Sequence, residues 1–186
     1  MNLPFSEKYL WTSKPNIPES VLNDMFKQCK NTEFENSTIR GDGSGLMSET
    51  RTSKQHWLCW DTWIAGIMYN IFISANNDYF HYDLHHFDSG IQVTKYETNQ
   101  YYTWHVDEQP TVPPKLPRKL SMSLLLNDDF EGGELQLARD KEEVITIDMK
   151  AGSVCVFPSW IMHRVKPVTK GTRYSLVAWM NGPEFK

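Results

Sequence analysis

Thr172-Arg173-Tyr174-Ser175-Leu176-Val177-Ala178-Trp179 reads as a β-strand, rich in aromatic and β-branched residues and preceded by the turn signal Lys170-Gly171. Side chains along a strand alternate between its faces, so Arg173, Ser175, Val177 and Trp179 share one of them. An arginine beside small and apolar neighbours points into a barrel rather than into water. A buried guanidinium requires an anion, and its planar fork matches a carboxylate through two parallel hydrogen bonds. The bland alternatives are a surface arginine or an internal pair with Glu131 or Glu134.

Working outward, short β-type segments recur near 91–97, 101–107, 119–126, 134–138, 143–148, 153–157, 163–168 and 172–180. Asn127-Asp128-Asp129, Glu131-Gly132-Gly133 and Lys150-Ala151-Gly152 separate them. About eight strands in so short a span predict a sandwich or jelly roll. Nothing leaves room for crossover helices, so a parallel α/β sheet is not expected. Before residue 90 the periodicity is helical. Val21, Leu22, Met25, Phe26 and Cys29 form one stripe after Pro18-Glu19-Ser20. Trp60, Trp63, Ile64, Ile67, Met68, Ile71 and Phe72 form a broader one, stopped by Asn76-Asn77-Asp78. The fold class is therefore mainly β (α+β). Residues 1–90 are expected to be a helical support region within the same domain, and residues 91–186 the β core.

The chain has 186 residues, 40% hydrophobic and 13% aromatic, which suffices for one well-packed domain. A formal net charge of −4 without a basic stripe argues against a nucleic-acid partner. Cys29, Cys59 and Cys155 are odd in number and far apart, which points to a reducing compartment rather than a disulfide framework. The N-terminus lacks a secretory pattern, and the longest apolar stretch, Trp63 to Ser74, is too short to span a bilayer. A cytoplasmic location and no membrane partner are expected. Gly41-Asp42-Gly43-Ser44-Gly45 lacks the lysine of a phosphate loop and is expected to be a flexible connection.

The chemistry concentrates in His105-Val106-Asp107. Residues i and i+2 of a strand face the same way, so His105 and Asp107 can reach one metal ion. His163, 56 positions after Asp107, can join them if the strands fold back on one another. Two histidines and one carboxylate leave coordination positions open and are diagnostic of non-haem Fe(II) oxygenases. Directly after Asp107, Glu108 to Arg118 carries four prolines, which cannot continue a strand ladder. It reads either as a lid beside the metal or as an ordinary connection. His81, His85 and His86 form a second cluster. Its i,i+4 pair could hold zinc on a helix, but no third ligand completes it.

Tyr96, Trp104-His105-Val106-Asp107, Arg118-Lys119-Leu120-Ser121, Leu126-Asn127-Asp128, Glu131-Gly132-Gly133-Glu134-Leu135, Phe157-Pro158-Ser159, His163 to Val168 and Gly171 to Trp179 together resemble a known family. It is the Fe(II)/2-oxoglutarate-dependent dioxygenases of the prolyl 4-hydroxylase-like group, which includes the PKHD-type hydroxylases. The resemblance covers about residues 91–181. It implies a double-stranded β-helix, a distorted jelly roll with supporting N-terminal helices. It implies Fe(II) held by His105, Asp107 and His163, with Arg173 pairing the distal carboxylate of 2-oxoglutarate. Tyr96 matches a tyrosine that hydrogen-bonds this cosubstrate. Arg118 matches a position near the substrate entrance, its bland reading being a solvated charge. Trp179 matches an aromatic beside the metal pocket.

One position departs from the family. Several prolyl hydroxylases carry a second cosubstrate-binding tyrosine where this chain reads Leu124-Leu125-Leu126. Ser121, Ser123 or water would replace it. The implied reaction is C–H hydroxylation on a prolyl residue of a protein or peptide, or on a small molecule, using O2. It is coupled to decarboxylation of 2-oxoglutarate to succinate and CO2, with ascorbate as an optional reductant. Two other readings stand beside it. A nucleic-acid demethylase uses the same ligand set, but usually shows further arginines in its final strand. A non-enzymatic jelly-roll binding module would have no use for the complete ligand set.

Overall fold

Along Arg118–Leu125 (β7), Leu120, Met122 and Leu124 alternate with Ser121 and Ser123, and that alternation orients the molecule. The apolar set joins a core beneath two helices, while the serines face the interior of the β-fold. The same division repeats on Arg173–Asn181 (β14): Tyr174, Leu176, Ala178 and Met180 lie under the helices. On Ile91–Tyr96 (β5), Ile91 and Val93 go outward, leaving Gln92, Thr94 and Tyr96 inside. Each buried Leu, Ile or Met on the outer face contributes roughly 1.5–3 kcal/mol of transfer free energy. The helix-covered face thus carries the stability, and the inner face is free to be polar.

The computed structural model describes residues 9–13, 17–37, 49–108, 116–139 and 143–184. Its remaining strands are β1 (Trp11–Ser13), β2 (Glu35–Asn36), β3 (Lys54–Leu58), β4 (His86–Phe87), β6 (Tyr102–His105), β8 (Glu131–Gly132), β9 (Leu135–Ala138), β10 (Val144–Thr146), β11 (Val154–Pro158), β12 (Met162–Val165) and β13 (Val168–Lys170). The larger sheet runs β1-β11-β7-β14-β5-β3-β2, with β4 also paired to β14. A second sheet runs β10-β9-β12-β6, and β13 pairs with β8. Every pairing is antiparallel. Between the sheets lies a second apolar cluster that includes Leu137, Cys155, Phe157 and Ile161. This is the expected mainly-β jelly roll.

Helices α1 (Glu19–Lys30) and α2 (Trp63–Ala75) occupy the expected segments. Thr62 caps α2 by accepting a hydrogen bond from the Ala65 amide. At the expected stop the chain passes into a π-helical turn, Asn76–Phe80. The Asn76 side chain ends it, donating to the Tyr82 carbonyl and accepting from the Tyr82 amide, both at 2.9 Å. His81 takes a left-handed φ of 55° there. This rules out the helical zinc spacing, because no helix joins His81 to His85.

Two readings need correction. Residues before 91 are not only helical, because Lys54–Leu58 pairs along its whole length with β5. Periodicity missed it because Lys-Gln-His-Trp-Leu turns Gln55 and Trp57 inward and Lys54, His56 and Leu58 the other way, so neither face is uniformly apolar. The segment read as one strand from 163 to 168 is two, interrupted at Lys166-Pro167. The loop around Gly41 lies outside the described residues, as does most of the proline-rich segment after Glu108.

Candidate metal centre

β12 lies against β6, and their register sets His163 opposite His105. Asp107 follows two residues after His105, where its amide donates to the Ser159 carbonyl at 2.9 Å. His105, Asp107 and His163 each present a ligand atom, all within 4.8 Å of one another. His105 Nε2 is 3.8 Å from Asp107 Oδ1, and His163 Nε2 is 3.4 Å from Asp107 Oδ2. No other His, Cys, Asp and Glu grouping of this kind occurs among the described residues.

The rings are oriented for ligation. His105 Nδ1 lies 2.8 Å from the Thr103 carbonyl, and His163 Nδ1 lies 3.0 Å from the Ile161 carbonyl. A carbonyl only accepts, so each Nδ1 carries a proton and each Nε2 is the nitrogen that faces the shared centre. Tyr102 stacks on His105 with centroids 3.5 Å apart, and Phe157 packs edge-on to His163. Ser121 Oγ donates to Asp107 Oδ2 at 2.8 Å and sits 2.9 Å from Ser159 Oγ. Two imidazoles and one anchored carboxylate with open sides fit a divalent iron. Such outer partners typically contribute 10–100-fold in metal affinity. Ser121→Ala is therefore expected to weaken metal binding by roughly tenfold. Titration of the metal-free protein with Mn(II) would show this, and an unchanged affinity would remove Ser121 from the site.

Protonation follows from packing. Burial and the neighbouring charge of His163 lower the His105 pKa to about 3, so this imidazole is neutral near pH 7. For His163, burial works against the charge, but Asp107 more than compensates and the net shift is upward. Burial likewise opposes ionisation of Asp107, yet the two histidines hold it well below the ordinary carboxylate range. Metal binding must therefore displace the proton from His163 and not one from His105. Below the raised pKa of His163, affinity is expected to fall about tenfold per pH unit. Mn(II) titrations from pH 8 down to 5.5 would measure the slope. A flat profile would contradict single-proton competition.

Across the interior, Arg173 at the start of β14 pairs in register with Tyr96 on β5. Arg173 is 2% exposed, and its side chain donates to Ser175 Oγ at 2.8 Å. Its guanidinium carbon lies 5.7 Å from the Tyr96 ring centre. The internal alternatives fail, since Glu131 pairs with Lys170 and Glu134 with Lys166. Among the described residues no carboxylate neutralises Arg173. Burial lowers its pKa accordingly.

A cavity of about 380 Å³ connects these groups, lined by all three ligand residues together with Tyr96, Ser121, Ser123, Arg173 and Trp179. Ser123 is buried and forms no side-chain hydrogen bond with another described residue, whereas Ser121 is engaged by Asp107. The buried indole of Trp179 lies near enough to Asp107 to help hold its carboxyl down, but its nitrogen completes no hydrogen bond among the described residues. Arg118 is not a solvated charge. It donates through Nε and Nη2 to Asp88 Oδ2, at 2.9 and 2.7 Å, and its guanidinium carbon lies 3.9 Å from the Trp179 ring centre. Asn181 holds the other Asp88 oxygen at 3.1 Å. Sequence reasoning missed Asp88, whose only signal was its distance of 30 residues from Arg118. It also missed Arg51, Gln55 and Gln92, which line the same cavity from β5 and from in and beside β3.

Residues 91–181 match the model of the 2OG-Fe(II) oxygenase superfamily. A PKHD-type hydroxylase of Xylella fastidiosa (strain M12) is 38% identical over 99 residues, 48% of this chain and 43% of that protein. The aligned part spans about two-fifths of the length of such curated relatives. Two solved structures share the fold at a TM-score of 0.75. A Pseudomonas putida prolyl-4-hydroxylase is 18% identical, covering 95% of both chains. A Trichoplax adhaerens prolyl hydroxylase, solved with a hypoxia-inducible factor oxygen-degradation-domain peptide, is 19% identical, covering 94% of this chain and 84% of that one. Among the described residues no helix is long and apolar enough to cross a membrane. With the ligand triad, its facing arginine and the family match in agreement, residues 91–181 belong to the 2OG-Fe(II) oxygenase superfamily.

Proposed function

We propose that the protein is an Fe(II)/2-oxoglutarate-dependent hydroxylase acting on a prolyl residue of a protein or peptide. One observation carries the cosubstrate part. Arg173 is a buried cation without a carboxylate partner among the described residues, and it opens into the cavity that holds His105, Asp107 and His163. A small dicarboxylate fits that arrangement, with one end on Arg173 and the other at the metal.

The chain's own residues then have distinct tasks. His105, Asp107 and His163 hold Fe(II). Arg173 and Ser175 receive the distal carboxylate, with the Tyr96 hydroxyl beside it. Ser123 replaces the second tyrosine of the family pattern, because it lines the cavity and keeps its hydroxyl uncommitted. Iron, 2-oxoglutarate and O2, when bound, supply the oxidation itself: decarboxylation to succinate and CO2 with hydroxylation of a C–H bond. Trp179 and the half-exposed Trp57, with ring centres 6.1 Å apart, form an aromatic wall suited to a pyrrolidine ring. Arg118, fixed by Asp88, lies over the Trp179 ring and braces that wall. The peptide-bound structural neighbour supports a peptide substrate, and the PKHD-type relatives support hydroxylation. The final strand carries no second arginine after Arg173, so phosphate-backbone recognition has no counterpart in it.

The test is succinate formation from 2-oxoglutarate in air and under anaerobic conditions, with and without proline-containing peptides. Oxygen-dependent succinate, stimulated by such a peptide and accompanied by a 16-dalton gain on it, is the expected result. Failure of 2-oxoglutarate to bind in the presence of metal would overturn the proposal.

A further inference from the structure

The same cavity has a second polar wall, on β3 and β5, that neither the metal nor the cosubstrate uses. Its anchor is Arg51, 6% exposed, whose guanidinium carbon lies 4.7 Å from the Tyr102 ring centre. Tyr102 in turn stacks on His105, so this wall stands one ring away from a metal ligand. Arg51 Nε donates to Ser53 Oγ and its Nη2 donates to Gln92 Oε1, both at 2.8 Å. Gln92 Nε2 donates to Gln55 Oε1 at 3.0 Å.

The direction of this chain is forced. Arginine has donors and no acceptor, so Gln92 must turn its carbonyl oxygen toward Arg51. Its amide nitrogen then faces Gln55, which must answer with its own carbonyl oxygen. Gln55 is left presenting Nε2, and among the described residues that nitrogen donates to nothing else. Gln55 is 5% exposed and lines the cavity, as does Trp57 two residues along the same face of β3. That N–H is therefore free to donate into the cavity that Gln55 lines, and a bound molecule can supply the acceptor. Gln55 sits opposite Thr94, on a strand two removed from β14. That is roughly 10 Å from the Arg173 strand at ordinary strand spacing, so the missing acceptor does not belong to the distal carboxylate of the cosubstrate.

We propose that Gln55 is a specificity-determining residue whose Nε2 donates a hydrogen bond to an acceptor oxygen of the substrate, a carbonyl or a carboxylate, in a polarity imposed by Arg51 through Gln92. The inference rests on the oxygenase reading of the cavity. It adds to that reading the chemistry required of the substrate beside the carbon to be oxidised.

The test uses the full chain loaded with Zn(II) and 2-oxoglutarate, which does not turn over. The probes are N-acetyl-L-prolinamide, L-proline and pyrrolidine, with dissociation constants read by NMR titration. At least one acceptor-bearing probe is expected to bind tenfold or more tighter than pyrrolidine. A preference for the prolinamide assigns a peptide carbonyl, and a preference for proline a free carboxylate. Gln55→Leu is expected to abolish the preference. Gln92→Glu is the sharper variant, because it still accepts from Arg51 but cannot donate to Gln55. Gln55 must then rotate to donate to Glu and present Oε1, which lowers acceptor-probe affinity at least tenfold without touching Gln55 itself. Equal binding of all three probes to the wild type, no binding at all, or wild-type preference in either variant would overturn the proposal. So would a loss of 2-oxoglutarate affinity in Gln55→Leu, which would assign Gln55 to the cosubstrate. Failure of the oxygenase reading would show separately, as wild-type protein that does not bind 2-oxoglutarate.

Discussion

Arg173→Ala is expected to weaken 2-oxoglutarate binding by about a hundredfold or more while leaving metal affinity within a few-fold of wild type. Truncating one partner of a buried, hydrogen-bonded charge pair typically costs about 2–5 kcal/mol, and each 1.4 kcal/mol is about tenfold. No bond joins Arg173 to any of the three ligand residues, and its side chain donates to Ser175. Metal binding and cosubstrate binding should therefore separate. Arg173→Lys should fall between, since a lysine keeps the charge but loses the planar fork.

The same residue predicts an asymmetry in stability. Without cosubstrate, Arg173 is a desolvated cation with only a neutral partner among the described residues, so its folded state already bears the cost of burial. Removing it should destabilise the ligand-free protein less than truncating another side chain of its size in the core. Adding metal and 2-oxoglutarate should then raise the melting temperature of the wild type much more than that of the variant. Thermal unfolding with and without both ligands measures the difference. Equal loss of metal and cosubstrate binding, or equal thermal responses, would make Arg173 structural.

Strand alternation makes these residues readable in the sequence alone. His105 and Asp107 occupy positions i and i+2, and Arg173 shares a face with Ser175, Val177 and Trp179. The Arg173 relation is kept along β14, whereas β6 ends at His105 and Asp107 lies in the bend beyond it, held beside His105 by its amide bond to Ser159. His163 needed one long-range assumption, that its strand folds back beside the first, and the β12–β6 register satisfies it. What stayed hidden depends on pairings between distant segments. Arg118 read as a solvated charge because Asp88 lies 30 residues upstream, in a turn with no pattern of its own. The Arg51–Gln92–Gln55 relay was invisible for a stronger reason. Its strand, Lys54–Leu58, turns Gln55 as well as Trp57 to the cavity and Lys54 and His56 the other way, so the hydrophobic alternation that announces a half-buried strand is absent there. A wall built to bind a polar substrate erases the signal that would reveal it.

Asp107→Ala is expected to lower metal affinity by more than a hundredfold, beyond the roughly 10–100-fold typical of outer partners, because it removes the only anionic ligand. It should also change how the metal-free protein responds to pH. In the wild type, the raised pKa of His163 contributes stability that is present below the ordinary histidine value of about 6.5, and is lost as pH rises through the raised value. The lowered pKa of Asp107 contributes stability present above about 3.8, lost as pH falls. His105 acts in the opposite sense to His163, since its pKa of about 3 means that acid favours the unfolded chain progressively below about 6.5. Asp107⁻ and His163⁺ therefore stabilise each other between about pH 4 and 6.5. Breaking a buried ion pair typically costs about 3–5 kcal/mol. The variant should show a deficit of this order at pH 5. Above the raised pKa of His163 that residue is neutral in both proteins, and the deficit should shrink, because only a buried carboxylate has been removed. Urea unfolding in the presence of a chelator, followed from pH 5 upward, decides the matter. A deficit independent of pH would mean that Asp107 and His163 are held together by packing and hydrogen bonds alone, and that the metal binds without displacing a proton from the pair.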